Sequence, residues 1–190
     1  IVKPFESGRL KIDEFLKAFW IAQHRSSVTG NLYTSFRRDI ASTGAPSEPV
    51  SDYVDRIAEH VRYFRQVAEP MKHWPANKNE QQKLLEGIRL FGGTLFQPLL
   101  MVLAKYMDER DLLSRSQRIS VFRAIETVAI RDHVCGRTVD RNQLIKMLNL
   151  SIERLQSGVA AEVETLPDQL RTHLPSDKDF SDAFAEWSCD

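Results

Sequence analysis

Residues 97–107 read Gln-Pro-Leu-Leu-Met-Val-Leu-Ala-Lys-Tyr-Met, and this stretch is apolar around most of the circumference that a helix would give it. Pro98 lies near its start, where a helix tolerates proline because the missing N–H would have no intrahelical partner. The Gly92-Gly93 pair just before it is typical of a helix end, since glycine readily adopts a left-handed turn. A helix that is apolar on nearly all sides is buried. The stretch therefore predicts a central helix in an all-α protein.

The rest of the chain repeats the helical pattern, with apolar residues at steps of three and four and no sustained alternation. Short connections favour a compact multi-helix bundle of about eight or nine helices with antiparallel neighbours. We expect Pro167 to break or kink the eighth. The predicted helices cover about 12–23, 31–41, 51–69, 77–92 (with 79 as an alternative start), 94–107, 114–133, 140–155, 160–173 and 176–187.

Three serines are placed to begin helices. Ser51 can cap the third predicted helix, because its hydroxyl can accept from a free backbone N–H. Ser114 with Gln117 has the spacing of a capping box for the sixth. Ser176 with Asp179 predicts the start of the last one.

Composition and charge limit the functional classes. The 190 residues fit one domain, with 159–190 as a part that could pack more loosely. Acidic and basic residues number 26 each, so no overall field attracts nucleic acid or an anionic membrane. Cys135 and Cys189 are far apart, and two free thiols in a reducing cytoplasm are the favoured interpretation. No apolar stretch reaches the roughly 18 residues of a membrane span.

The sequence carries no complete catalytic or metal site. None of the five histidines has another within three to five residues, and neither a Cys-x-x-Cys pair nor a His-Glu-x-x-His motif occurs. A phosphate-binding Gly-x-x-x-x-Gly-Lys-Ser/Thr loop and a Gly-x-Ser-x-Gly elbow are also missing. We therefore predict no catalytic residue, no metal site and no cofactor in this chain.

Arginines are the only chemically suggestive cluster. Guanidinium groups suit phosphate, because their planar donors meet its oxygens in pairs, but they suit carboxylates equally. With zero net charge, ion pairing within the fold or between domains is the favoured interpretation, and DNA contact is the alternative. The candidate nucleic-acid-binding residues are Arg118, Arg123, Arg131, Arg137 and Arg141, with Arg115 beside them and a second group at Arg25, Arg37 and Arg38.

Four stretches in order resemble one family. The family is that of the GmrSD-type, modification-dependent (type IV) restriction endonucleases. Two of its paired helices are similar to Phe15-Leu16-Lys17-Ala18-Phe19-Trp20 and Asn31-Leu32-Tyr33-Thr34-Ser35-Phe36. Its Gly-x-Thr-x-x-x-Pro-Leu-Leu helix junction is similar to residues 91–101. The third stretch, 125–136, is similar to that family's Arg-Arg-x-x-Cys-Gly turn. The segment 175–184 resembles the stretch that leads into its nuclease half. This chain has Arg131-Asp132 where the family often has two arginines, which weakens a phosphate-gripping role for the turn.

The resemblance implies a helical middle region without catalytic parts. In that family a ParB-like domain with an Asp-Gly-Gln-Gln-Arg motif uses nucleotide on the amino-terminal side, and a metal-dependent His-Asn-His nuclease follows. Residues 79–83, Asn-Glu-Gln-Gln-Lys, echo the first motif only by accident, because they lack its glycine and open a helix. Nucleotide and divalent metal would belong to the parent protein, a DNA endonuclease.

The expected partners are the flanking domains of the same chain, with modified DNA and a second copy of the chain as further partners. The start at Ile1, without methionine, and the abrupt end lead us to expect a segment of a longer protein. Two alternatives stay open. One is a stand-alone interaction module, which an exposed apolar patch at Trp74 or Trp187 would favour. The other is a bundle that binds the DNA backbone through one positive face.

Overall fold

The structure, a computed structural model, describes residues 10–25, 31–41, 50–75, 79–110, 114–136, 140–158 and 161–187. Within these ranges the fold is all-α, and the helices form a compact bundle as predicted. The helices are α1 (Ile12–His24), α2 (Leu32–Ala41), α3 (Val50–Ala68), α4 (Pro70–His73), α5 (Asn79–Gly92), α6 (Gln97–Arg110), α7 (Arg115–Val134), α8 (Arg141–Gln156), α9 (Ala161–Arg171) and α10 (Asp177–Trp187). None of the described helices is both long and apolar enough to cross a bilayer.

Helix α6 is central, which confirms the interpretation of residues 97–107. It packs against α1, α3 and α8. Because neighbours cover it on several sides, its apolar residues are buried around the circumference. These residues are Leu99, Leu100, Met101, Val102, Leu103, Ala104, Tyr106 and Met107.

Helix α7 forms a second centre, because it packs against α5, α9 and α10. Its buried stripe includes Val121, Phe122, Ile125 and Val128. The edge of Trp74 meets Phe122, with ring centroids 5.7 Å apart, so the turn after α4 packs against α7. Trp74 is therefore part of the core and not of an exposed patch. The side chain of Trp187 lies outside the described residues.

The predicted helix ends agree with the structure at most caps. The backbone N–H of Gln117 donates to Ser114 Oγ, and Ser114 N–H donates in return to Gln117 Oε1 at 2.8 Å, which completes the capping box. The N–H of Asp179 donates to Ser176 Oγ at 3.1 Å. Gly93 adopts φ of 56° and ends α5. Ser114 and Ser176 therefore cap the starts of their helices, and Gly93 ends a helix with a left-handed residue, as the sequence predicted.

The structure differs from the local predictions at three places. Helix α3 begins at Val50, so Ser51 lies inside its first turn and does not precede it. The one-turn helix α4 begins at Pro70, in the gap between two predicted helices. Helix α9 continues through Pro167 without the predicted break, while the alternative of a kink stays a prediction. The missing hydrogen bond is tolerated because Val163, Leu166 and other apolar residues of α9 are fully buried.

The carboxy-terminal part of the chain contains two helices with different degrees of burial. Helix α9 packs on α7 and α8, and its buried Glu162 accepts from Ser151 Oγ at 2.7 Å and from Arg154 Nη1 at 3.1 Å. Helix α10 packs mainly on α7 among the described helices, and Phe184 is 48% exposed. The end of α7 therefore provides most of the support that α10 receives.

Candidate functional site

The arginines in the first half of α7 are engaged with the fold. Arg115 and Arg123 lie 3.3 Å from the two carboxylate oxygens of Glu80, at the start of α5. Arg118 is buried, with 7% of its surface exposed. Because one carboxylate accepts from two guanidinium groups, this end of α7 is fixed to α5 by charge as well as by apolar packing.

Arg131, in the last turn of α7, holds the start of α10. Its Nη1 lies 2.7 Å from Asp177 Oδ1 and donates to the carbonyl oxygen of Pro175 at 3.2 Å. Its guanidinium carbon stands 5.0 Å from the ring centroid of Phe180. The Arg131 side chain is only 23% exposed, whereas its partner Asp177 is 91% exposed, so the ion pair itself is open to solvent on the α10 side. One arginine thus combines an ion pair, a backbone hydrogen bond and a cation–π contact.

The remaining α7–α8 arginines also meet protein groups. Arg141 lies 3.9 Å from Asp132 Oδ2, at the limit of an ion pair. Asp132 is buried, and its Oδ1 has no hydrogen-bond partner in the described part of the chain. Arg137 lies outside the described residues. Arg123, Arg131 and Arg141 thus contact carboxylates of α5, α10 and α7.

A cleft of about 650 Å³ opens beside the end of α7, between the α7–α8 turn and α10. Cys135, His173 and the carboxylates Asp140, Asp179 and Asp182 are among its lining residues. Burial, with Asp179 and Asp132 nearby, raises the pKa of the Cys135 thiol. The thiol is therefore protonated at neutral pH, which does not suit a nucleophile. In the described ranges no three His, Cys, Asp or Glu side chains are placed to hold a metal ion. Cys189 lies outside these ranges.

A second cavity, of about 380 Å³, lies where α1, the start of α6 and α8 meet. Its apolar lining residues include Leu99 and Ile152. Asp13, Lys17 and Asn149 stand among its polar lining. Glu14 also lines the cavity. Lys17 pairs with Asp13 at 3.7 Å, and Glu14 pairs with Lys11 at 3.1 Å, so these charged groups are engaged with each other or with a neighbour on α1.

The Asn-Glu-Gln-Gln-Lys segment at 79–83 has a structural role that sequence reasoning missed. Gln81 Oε1 accepts from Trp74 Nε1 at 3.2 Å, and Gln82 Nε2 donates to the Trp74 carbonyl oxygen at 3.0 Å. Both glutamines are buried. They satisfy the polar groups of the turn between α4 and α5, as buried polar atoms require. The sequence did not predict these two contacts, because both glutamines bind Trp74, which lies between two predicted helices.

The site with the most specific geometry is therefore the α7–α10 junction, built on Arg131. Sequence reasoning placed Arg131 and the Ser176 cap in separate motifs, and only the fold brings them together. Comparisons with protein-family models, with curated proteins and with solved structures find no match to this chain.

Proposed function

We propose that this chain is the non-catalytic helical connector of a GmrSD-like, modification-dependent DNA restriction protein of the cytoplasm. It would join a nucleotide-using ParB-like domain to a His-Asn-His nuclease, which together would supply nucleotide and divalent-metal chemistry. The proposal draws on the four motif resemblances at 15–36, 91–101, 125–136 and 175–184. The observation that carries it is the Arg131 junction, since it lies where two of those motifs meet.

The geometry gives the connector a physical basis. Helix α7 is 20 residues long, or about 30 Å by helical rise. It packs along α5, from Glu80 beside Arg123 to Gly92 beside Ala129, and it contacts α10 through Arg131 in its last turn. A packed helix of this kind moves as a unit, because close-packed cores shift between discrete arrangements. A displacement at α5 would therefore reach α10 through the Arg131 contacts.

The parent gene provides the first test. We expect the reading frame to continue on both sides of these 190 residues, with an Asp-Gly-Gln-Gln-Arg motif upstream and a His-Asn-His cluster downstream. A frame that closes at both ends without either motif would contradict the connector role and favour the stand-alone interaction module.

The second test measures coupling in the parent protein. Cells that carry it should reduce plating of a phage with modified DNA bases and spare the same phage with unmodified DNA. Arg131→Ala should weaken this protection at least roughly tenfold at equal protein level, because it removes an ion pair and a charged hydrogen bond. Arg171→Ala is the matched control, since the described partner of Arg171 is Asp168 of its own helix. Equal protection by both variants would contradict transmission through the junction.

A further inference from the structure

The arginines of α2 differ from those of α7 in their partners. Arg37 and Arg38 are both exposed, and within the described part of the chain neither makes an ion pair or a hydrogen bond. The side chain of Arg25, at the end of α1, donates only a long 3.4 Å hydrogen bond to Gln156 among the described contacts. Guanidinium groups without carboxylates remain available to an external anion.

Aromatic rings lie beside these arginines. Trp20 and His24 of α1 stack with ring centroids 3.9 Å apart and planes inclined by 30°. The edge of Phe36 meets Trp20 at 5.1 Å and holds α2 against α1. Tyr33 is 72% exposed and lies one helical turn before Arg37, on the same side of α2. An exposed aromatic ring is thus placed next to a cation that no described carboxylate neutralises.

The local charge is positive although the chain as a whole is neutral. Residues 15–38 contain no Asp or Glu, in a chain that has 26 of them. The stretch contributes three arginines and Lys17, and Lys17 pairs with Asp13 outside the stretch. The nearest carboxylates along the chain, Glu14 and Asp39, stand at its two ends, and the side chain of Asp39 lies outside the described residues. This composition complements a polyanion.

We propose that this surface, defined by Trp20, His24, Arg25, Tyr33, Arg37 and Arg38, binds single-stranded nucleic acid. The arginines would contact backbone phosphates, and an unpaired base would stack on Tyr33 or on the Trp20–His24 pair. Sequence-tolerant binding of single strands combines a positive surface with stacking rings in this way. A duplex fits less well, because its bases are stacked internally and cannot reach a flat ring.

An acidic peptide is the competing partner. It would use Arg37 and Arg38 but would gain little from an exposed aromatic face such as that of Tyr33. The inference goes beyond the connector role and does not depend on it, because the 190-residue chain itself carries all six residues.

Fluorescence anisotropy with a labelled short oligothymidylate tests the proposal at several salt concentrations. The Arg37→Ala/Arg38→Ala variant should lower affinity at least roughly tenfold and reduce the slope of log K against log salt by about 1.4, or roughly 0.7 for each phosphate that is no longer neutralised. Tyr33→Ala should lower affinity by a similar factor, because a base can no longer stack there, and leave the slope unchanged. These side chains are exposed, so circular dichroism should show an unchanged fold.

Arg115→Ala/Arg123→Ala is the matched control, since both arginines pair with Glu80. It should bind as the wild type does. The proposal is overturned if binding at low salt is no better than millimolar, or if only the control variant loses affinity. It is also overturned if duplex of the same length, or polyglutamate, binds as tightly as the single strand. The flanking-gene test is independent of all these outcomes.

Discussion

At the scale of single residues, His60 of α3 shows how burial fixes a protonation state. Its Nδ1–H donates to the carbonyl oxygen of Arg56 at 2.7 Å, because a carbonyl can only accept. Its Nε2 must then accept, and Gln23 Nε2 of α1 donates to it at 3.3 Å. The ring meets Phe19 edge to face at 5.2 Å. The neutral ring is thus part of the α1–α3 interface.

The stability of the protein should therefore depend on the titration of His60. Burial, helped by the positive charge of Lys105, lowers its pKa from 6.5, although the bond to Arg56 and the charge of Glu59 oppose this. Below pH 6.5 the unfolded chain binds a proton that the folded chain still excludes. The His60 contribution is thus complete above about pH 6.5 and decreases as pH falls from there towards the lower folded pKa.

Urea denaturation between about pH 8 and about pH 5 checks this expectation. The free energy of unfolding should fall by at most about 1.4 kcal/mol per pH unit for this one proton, within the acidic part of the range. His60→Gln should remove that component of the slope and run parallel to the wild type above about pH 7. An identical acidic slope in the variant would show that another group is responsible.

At the scale of helices, α5 and α7 are in close contact at a glycine of α5. A Cβ on Gly92 would stand 2.8 Å from Phe96 Cδ2 and 3.1 Å from the Cβ of Ala129. Neither neighbour can move freely, since Phe96 and Ala129 are buried. The three atoms nearest to a Cβ on Gly87, about one and a half turns earlier, all belong to the flexible side chain of Glu126. At Gly92 an added Cβ would collide with buried neighbours, whereas at Gly87 alanine would mainly change the helix propensity.

Gly92→Ala should destabilise the protein by about 1–3 kcal/mol, the typical cost of overpacking, despite the better helix propensity of alanine. Gly87→Ala should be close to neutral, because Glu126 can swing away and alanine favours the helix. Chemical denaturation of both variants measures the difference. Equal stability of the two would mean that α5 and α7 are not limited by contact at Gly92.

At the scale of the whole molecule, two helices organise the bundle. Helix α6 is covered by α1, α3 and α8, and α7 by α5, α9 and α10. The two groups are joined by α8 against α9 and by the α3–α4–α5 path, where Gln82 closes the turn. The buried residues of both groups therefore form one continuous core. A substitution that removes packing at the centre of α6 should lower the free energy of unfolding of the whole domain.

Leu103→Ala tests that centre. Leu103 is fully buried on α6, and its truncation should cost about 2–5 kcal/mol, because it gives up transfer energy and leaves a residual cavity. Leu150→Ala on α8 is the control, since Leu150 is 43% exposed, and it should cost well under half as much. A loss below about 1 kcal/mol for Leu103→Ala in urea denaturation would contradict the central position of α6.

The sequence by itself determined the class of fold and most of the helix ends. Apolar residues at helical spacing specify which face of each helix is buried, whatever it packs against. Caps such as Ser114 and Ser176, and the turn at Gly93, act within a few residues of themselves. Such short-range interactions are fully contained in the local sequence. The exceptions, α4 and Pro167, depend on burial that neighbours along the chain do not supply.

Only the tertiary structure decided what the arginines do. Arg123 and Arg37 look alike in the sequence, yet Arg123 meets Glu80 from another helix and Arg37 meets no carboxylate in the described chain. Likewise, Arg131 acquires its partners from residues more than forty positions away. A guanidinium group suits carboxylate and phosphate equally, so its role depends on which acid the fold brings within reach.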